Sequence, residues 1–276
     1  MKRNNFTAYF ITLLLSFQVT ITSAQTQEFR TSKVDSLIFV DNKKQLNNLN
    51  TTVFEKKTFK NSAVTIPYRL LSPRNNDFKQ KFPLVITFHN SSKIGDDNEK
   101  QLEPLAKTWL REEIYTKYPC YVVAPQFNIR SSNYDSTVQA STPSNAVFEV
   151  LELIKDLQKK YPNIDKKRIY LIGYSMGAST AQNLMTMKPN KFAALVSIAA
   201  VPDLSNLKRY KNKKIWLIHG ALDFENPYNG SVALYNRLAS TTDIKFTTFT
   251  NLDHNKIIAP FLVTDEIQSW LFTTHL

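Results

Sequence analysis

An α/β fold, with helices on both faces of a mostly parallel sheet of about eight strands, is predicted by three features of the sequence. Apolar runs of strand length, FPLVITF at 82–88 being the plainest, are continuous rather than alternating, which suits strands buried on both faces. Such runs alternate along the chain with segments of helical period. One run, residues 168–173, passes directly into Gly173-Tyr174-Ser175-Met176-Gly177 and then into the helical pattern ASTAQNLMTM, a strand, tight turn and helix in succession. The 276 residues, 42% hydrophobic and 21% charged, suffice for one large core and exclude collagen-like, low-complexity and disulfide-rich classes.

The first 24 residues differ from the rest. Lys2 and Arg3 precede an apolar run at 6–21, and Thr22-Ser23-Ala24 is a small-residue cleavage site, so a secretory signal ending after Ala24 is expected. Ser16, Gln18 and Thr20 interrupt the run, which argues against a stable membrane anchor and for a secreted or periplasmic product. Residues 25–50 are polar without clear period and read as a surface leader; 51–276 read as one domain without a large lid. Residues 52–59 and 63–71 read as an antiparallel strand pair. After strand 82–88 and the polar stretch His89-Asn90-Ser91-Ser92, helical period returns over 99–117 on Leu102, Leu105, Ala106, Trp109, Leu110 and Ile114. A strand at 120–124 precedes a long polar loop at 126–143, of a length usually functional or mobile. Ser144 is positioned to cap a helix through Lys160 whose inner face is Val147, Val150, Leu151, Ile154 and Leu157. The second half continues the alternation: helix 176–187, strands 192–198 and 214–218, helix 231–238, strand 244–249 and a closing helix over 258–271.

Several function classes are disfavoured. The formal charge is +12, yet the lysines are scattered without interleaved aromatic residues, so a solvated basic surface is expected and no nucleic acid partner. The lone Cys120 sits in an apolar run and reads as a buried small residue, with no disulfide. Four dispersed histidines and a lone cysteine offer no metal-ligand spacing, so a metalloenzyme is not expected.

The chemistry is concentrated at strand ends. Gly-x-Ser-x-Gly between a strand and a helix holds a serine on a strained turn with its hydroxyl projecting from the sheet edge. Side chains two residues before or after the serine would collide with the adjoining strand or helix, hence Gly173 and Gly177. Active sites of open α/β sheets lie at the carboxyl ends of the strands, and there the later strands supply Asp223 and His254, in the order Ser, Asp, His. Asp203 is the alternative acid; His89 and His219 end strands and read as structural, and His275 as solvated.

In FPLVITFHN, YVVAPQ, IDKKRIYLIGYSMG and IWLIHGALDFENP the chain resembles the α/β-hydrolase superfamily, within it the exported esterase and predicted-peptidase group related to polyhydroxybutyrate depolymerases and carbohydrate esterases. The resemblance covers about residues 63–272 and implies the α/β-hydrolase fold and a cofactor-free serine hydrolase acting on a small-molecule or carbohydrate- or polymer-linked ester. It implies Ser175 as nucleophile, His254 as general base and Asp223 as orienting acid, with the Met176 and Ser91 backbone N–H groups as the oxyanion hole. Two departures stand out: His89-Asn90 replaces the usual His-Gly, a place where asparagine's tolerance of left-handed backbone is expected to keep the loop's shape, and Asp253 precedes His254 where glycine is common. A serine peptidase of the same fold and a non-catalytic binding protein are the rival readings.

Overall fold

The computed structural model describes residues 25–32, 34–75, 77, 79–135 and 140–274; the expected signal at 1–24 and His275 lie outside them. In chain order the elements are β1 (Gln25–Arg30), α1 (Ser36–Asn47), β2 (Glu55–Lys60), β3 (Thr65–Leu71), β4 (Phe82–Phe88), α2 (Pro104–Lys107), α3 (Glu112–Lys117) and β5 (Tyr121–Pro125). There follow β6 (Ser132–Asp135), β7 (Ala140–Pro143), α4 (Asn145–Lys160), β8 (Ile164–Tyr174), α5 (Met176–Met187), β9 (Ala194–Ile198), β10 (Lys214–Gly220), α6 (Tyr228–Leu238), β11 (Asp243–Phe249) and α7 (Glu266–Phe272).

Nine strands form one sheet in the order β1-β11-β10-β9-β8-β4-β5-β3-β2, parallel from β1 through β5, with β3 and β2 antiparallel at one edge. Buried strands send alternate side chains to opposite faces. On β10, Ile215 and Leu217 join a core with α4, α5 and α6, while Trp216 and Ile218 join a second core with Ala106, Trp109, Ile114 and Leu271. Both faces are therefore covered, which is why these strands read as continuous apolar runs.

Four segments depart from the sequence reading. The supposed surface leader contributes β1, which pairs in parallel with β11 as the ninth strand, and α1, capped by the Asp35 side chain. As an edge strand β1 is held by its ladder and by polar contacts, Glu28 to Lys245 at 3.0 Å and Arg30 to Glu266 at 2.7 Å, so it carries no apolar period. The polar loop 126–143 contains the hairpin β6–β7, whose Ser131, Ser132 and Ser141 are buried against polar side chains of α5 rather than apolar ones. Segment 99–117 is two short α-helices with a 3₁₀ turn at Thr108–Leu110 between them, since Pro104 starts the first and Arg111 leaves helical geometry at ψ 132°. The closing helix spans only α7: the Leu262, Val263 and Thr264 carbonyls accept from the Arg111 guanidinium, which leaves them outside a helical ladder. Ser144 stands at the N-cap of α4, but its hydroxyl makes no capping bond.

Candidate active site

Ser175 links β8 to α5 at φ 57°, ψ −127°, a left-handed conformation for a non-glycine residue that costs on the order of 1–3 kcal/mol and persists only where surroundings enforce it. Two enforcements are visible. The Ser175 N–H donates to the Ile198 carbonyl at 2.9 Å, and the Ser175 carbonyl accepts from Ala178 N–H at 2.9 Å as the helix begins. The flanking glycines answer a close approach rather than a special backbone angle: a Cβ on Gly173 would lie 2.2 Å from the Gly177 carbonyl oxygen, and one on Gly177 would lie 2.2 Å from that of Phe88. The elbow is thus wedged against the end of β4, where the Asn90–Ser91 turn begins.

The carboxyl ends of β10 and β11 bring the other two candidates to Ser175. A Cβ on Gly220 would meet the Leu252 carbonyl oxygen at 2.2 Å, so glycine there lets the two post-strand loops pack together. His254 Nε2 lies 2.9 Å from Ser175 Oγ, and His254 Nδ1 lies 2.7 Å from Asp223 Oδ2. The Asp223 side chain has no exposed surface and its four hydrogen bonds are shared between its oxygens. Oδ1 accepts from the Glu225 and Asn226 N–H groups at 3.0 and 2.8 Å; Oδ2 faces His254 and, at 3.1 Å, His219 Nε2. Burial acts to raise the Asp223 carboxyl, but the bonds from His219, His254 and the Asn226 N–H hold it well below the usual carboxylate range. An ionised Asp223 accepts from Nδ1–H, which leaves Nε2 free to accept from the serine hydroxyl.

The proposed oxyanion donors sit at the two ends that close on the elbow. Met176 is the first residue of α5, with the helix N-terminus and its positive dipole end beside Ser175. Ser91 is exposed and opens a single 3₁₀ turn after β4. Asn90 does not use left-handed backbone, as the sequence suggests; it stands at φ −77°, ψ 175°, and its Oδ1 accepts from Ser92 N–H at 2.8 Å.

The remaining sequence candidates fall elsewhere. Asp203 accepts from Ser205 N–H at 2.9 Å, Ser205 Oγ at 2.6 Å and Asn206 Nδ2 at 3.2 Å, and makes no hydrogen bond to a histidine among the described residues. Asp253 accepts from Lys256 N–H at 2.9 Å and is half-exposed. His89 is buried; its Nε2 accepts from Phe127 N–H at 3.1 Å, so Nδ1 carries the proton toward the Asn90 carbonyl at 2.8 Å. Burial lowers it to about 4, the Asn90 bond opposing, and it is a neutral tie between the Asn90 turn and the segment after β5. Cys120 is buried, which pushes its thiol up. Among the described residues no group of three or more His, Cys, Asp and Glu side chains is placed to hold a metal ion, and no helix is long and apolar enough to cross a membrane.

Three site residues escape a reading of sequence order. His219 is more than a strand-end plug: Nε2 also meets the Asn226 carbonyl at 3.0 Å and Nδ1 the Ser231 hydroxyl at 2.7 Å, so it steadies the acid from the side opposite His254. Its spacing of four from Asp223 on the same strand end is the signal that was available. Tyr174 is buried beside the serine and donates from its hydroxyl to the His254 carbonyl at 2.9 Å. Glu225 Oε2 stands 3.9 Å from His254 Nε2 and its Oε1 accepts from Asn255 at 2.9 Å.

The chain is similar in sequence and fold to known proteins. Residues 113–262 match the phospholipase/carboxylesterase family. A bifunctional acetylxylan esterase/xylanase of Neocallimastix patriciarum is 28% identical over 141 residues, 51% of this chain and 19% of that protein. A thermostable esterase of known structure is 29% identical with a TM-score of 0.74, over 82% of this chain and 64% of that one. The chain therefore spans about a fifth of the curated relative and under two thirds of the esterase. The Pyrococcus horikoshii acylaminoacyl peptidase is similar in fold at 18% identity and a TM-score of 0.58, over 88% of this chain and 43% of that one. A mostly parallel sheet, a serine elbow at the carboxyl end of β8 and a family match over more than half the chain converge: the chain belongs to the phospholipase/carboxylesterase family and has the α/β-hydrolase fold.

Proposed function

We propose that the protein is a serine hydrolase that cleaves carboxylic esters through an acyl-enzyme. The observation that carries this reading is the unbroken line of hydrogen bonds from Ser175 Oγ through His254 to Asp223, at 2.9 and 2.7 Å. Ser175 Oγ attacks the ester carbonyl carbon as His254 Nε2 takes its proton, and Asp223 stabilises the imidazolium. The carbonyl oxygen becomes an oxyanion that accepts from the Met176 and Ser91 N–H groups. Collapse returns the proton from Nε2 to the departing alkoxide, leaving the acyl group on Ser175. Water, deprotonated by His254, then attacks the acyl carbon, and the proton returns to Ser175 as the carboxylic acid leaves.

Likeness to an acetylxylan esterase over half the chain favours a carbohydrate-linked ester. Leu222 and Phe224 flank Asp223, and Phe224 is 91% exposed, which offers an apolar rim for a substrate group. The basic start, apolar run and small-residue site of residues 1–24 support an exported protein.

The test is fluorophosphonate labelling of the mature chain and of Ser175→Ala, followed by turnover of p-nitrophenyl esters, acetylated xylan and aminoacyl anilides. Labelling and ester turnover that vanish in Ser175→Ala are expected; anilide turnover in excess of ester turnover would move the reading to a peptidase, and hydrolysis surviving in Ser175→Ala would remove the nucleophile assignment.

A further inference from the structure

Every polar atom of Asn90 is engaged in fixing one turn. Its N–H donates to Glu103 Oε2 at 2.7 Å and its Nδ2 to Glu103 Oε1 at 2.7 Å. Its Oδ1 accepts from Ser92 N–H and Ser92 Oγ, each at 2.8 Å. Its carbonyl accepts from His89 Nδ1 at 2.8 Å and Lys93 N–H at 3.2 Å. The N–H that these bonds leave without a protein acceptor among the described residues is that of Ser91, the donor the oxyanion reading needs. Glu103 is itself fixed: it is the N-cap residue of α2, immediately before Pro104, and its carbonyl accepts from Lys107 N–H at 2.9 Å. A carboxylate held by one helix thus grips backbone and side chain of the neighbouring residue in two parallel bonds, a geometry that fixes angle as well as distance.

We propose that Glu103 is a positioning residue for the reaction: by clamping Asn90 it aims the Ser91 N–H at the developing oxyanion. The inference rests on the ester hydrolase reading. Burial pushes the Glu103 carboxyl up to about 7, with the Asn90 N–H, Lys93 and Lys43 acting in the opposite direction. The charged and titratable groups that line one cavity of about 650 Å³ with Glu103 and Asn90 are Lys43 of α1, Lys93 of the turn itself, Glu99 and Lys100 before α2, Lys107 of α2 and Tyr174 of β8. Below pH 7 the protonated acid keeps only one good acceptor for two Asn90 donors, so the clamp loosens as pH falls. An amide at position 103 imposes the same loss at every pH, because its NH₂ faces a donor.

The experiment compares wild type, Glu103→Gln, Asn90→Gly and the double variant on p-nitrophenyl acetate and a trifluoromethyl ketone, which forms a tetrahedral adduct with the serine. In Glu103→Gln, kcat is expected to fall on the order of 10- to 100-fold, below the 10²–10³ of losing an oxyanion donor outright. KM stays within about twofold, ketone affinity falls in step with kcat/KM, and the acid limb of the pH profile loses one ionisation. The loss should be smaller in the Asn90→Gly background, where half the clamp is already absent. Unchanged kcat and ketone affinity in a folded Glu103→Gln would overturn the proposal, as would a KM-only effect. Amide exchange at residues 90–93 gives a readout independent of turnover: faster exchange in Glu103→Gln is expected, and unchanged exchange sinks the clamp. Should wild type turn over no ester while exchange responds, the hydrolase reading fails and the clamp as a loop restraint stands.

Discussion

At Asp223 each oxygen has a distinct set of donors, and that division predicts what an amide does there. Oδ1 takes two backbone N–H groups, so in Asp223→Asn the amide oxygen occupies that place and the NH₂ is turned onto His254 Nδ1 and His219 Nε2. The imidazole then carries its proton on Nε2 and cannot accept from Ser175. We expect kcat to fall on the order of 10³- to 10⁴-fold, as it does when other triads adopt the wrong tautomer. Asp203→Asn, whose bonds stay within its own turn, should change kcat by less than about threefold. Stability responds as well. A carboxyl depressed in the folded state contributes stability that is present above its unfolded value near 3.9 and lost as pH falls. The melting temperature of wild type should therefore drop below about pH 4 more steeply than that of Asp223→Asn, as measured by calorimetry. The reactive residue types and their chain order were legible from the sequence. His219 is hinted at only by its spacing of four from Asp223, and Glu103 not at all, because its role is a contact between a helix cap and a turn that no local pattern encodes.

Helix α5 carries the site on one end and a polar interior along its length. It is buried nearly throughout, yet Thr180 and Asn183 face the β6–β7 hairpin rather than an apolar partner. Asn183 Nδ2 donates to Ser132 Oγ at 2.9 Å, Asn183 Oδ1 accepts from Ser141 Oγ at 3.4 Å, and Thr180 pairs with Ser131 at 2.7 Å. Buried polar groups stripped of partners cost about 1–3 kcal/mol. Asn183→Ala should accordingly lower the melting temperature, at about 2–4 °C per kcal/mol for a chain of this size, with ester turnover nearly unchanged. A drop of under 1 °C would mean that water replaces the lost partner without cost. These contacts explain why residues 126–143 read as a structureless loop: hydroxyl and amide pairs satisfy burial without hydrophobic period, and period is what sequence patterns detect.

For the whole molecule, the sheet ends differently at its two edges. The β2–β3 edge is antiparallel, whereas the β1 edge closes a parallel run with a segment more than two hundred residues away from its partner β11. Deletion of residues 25–32 would expose the ladder of β11 and break the contacts of Glu28 with Thr247 and Lys245, and of Arg30 with Glu266. We expect a lower melting temperature and concentration-dependent self-association through the bared strand, since an unpaired edge is a template for another chain. Light scattering that stays monomeric across concentrations would show that β11 is protected without β1.

The alternation of continuous apolar runs with helical period determined the layered α/β fold, and the strand-borne Gly-x-Ser-x-Gly with Asp223 and His254 after later strands determined which residues meet at the sheet's carboxyl edge. Those features are local or depend only on topology, so they survive in one dimension. Tertiary structure alone decided the rest: that residues 25–30 complete the sheet, that Asn90 at φ −77° is gripped by Glu103 rather than kept by left-handed backbone, and that Asp223 answers to two histidines. In each case the deciding interaction is a hydrogen bond between groups distant along the chain or on different elements, and its strength depends on burial and angle, which exist only once the chain has folded.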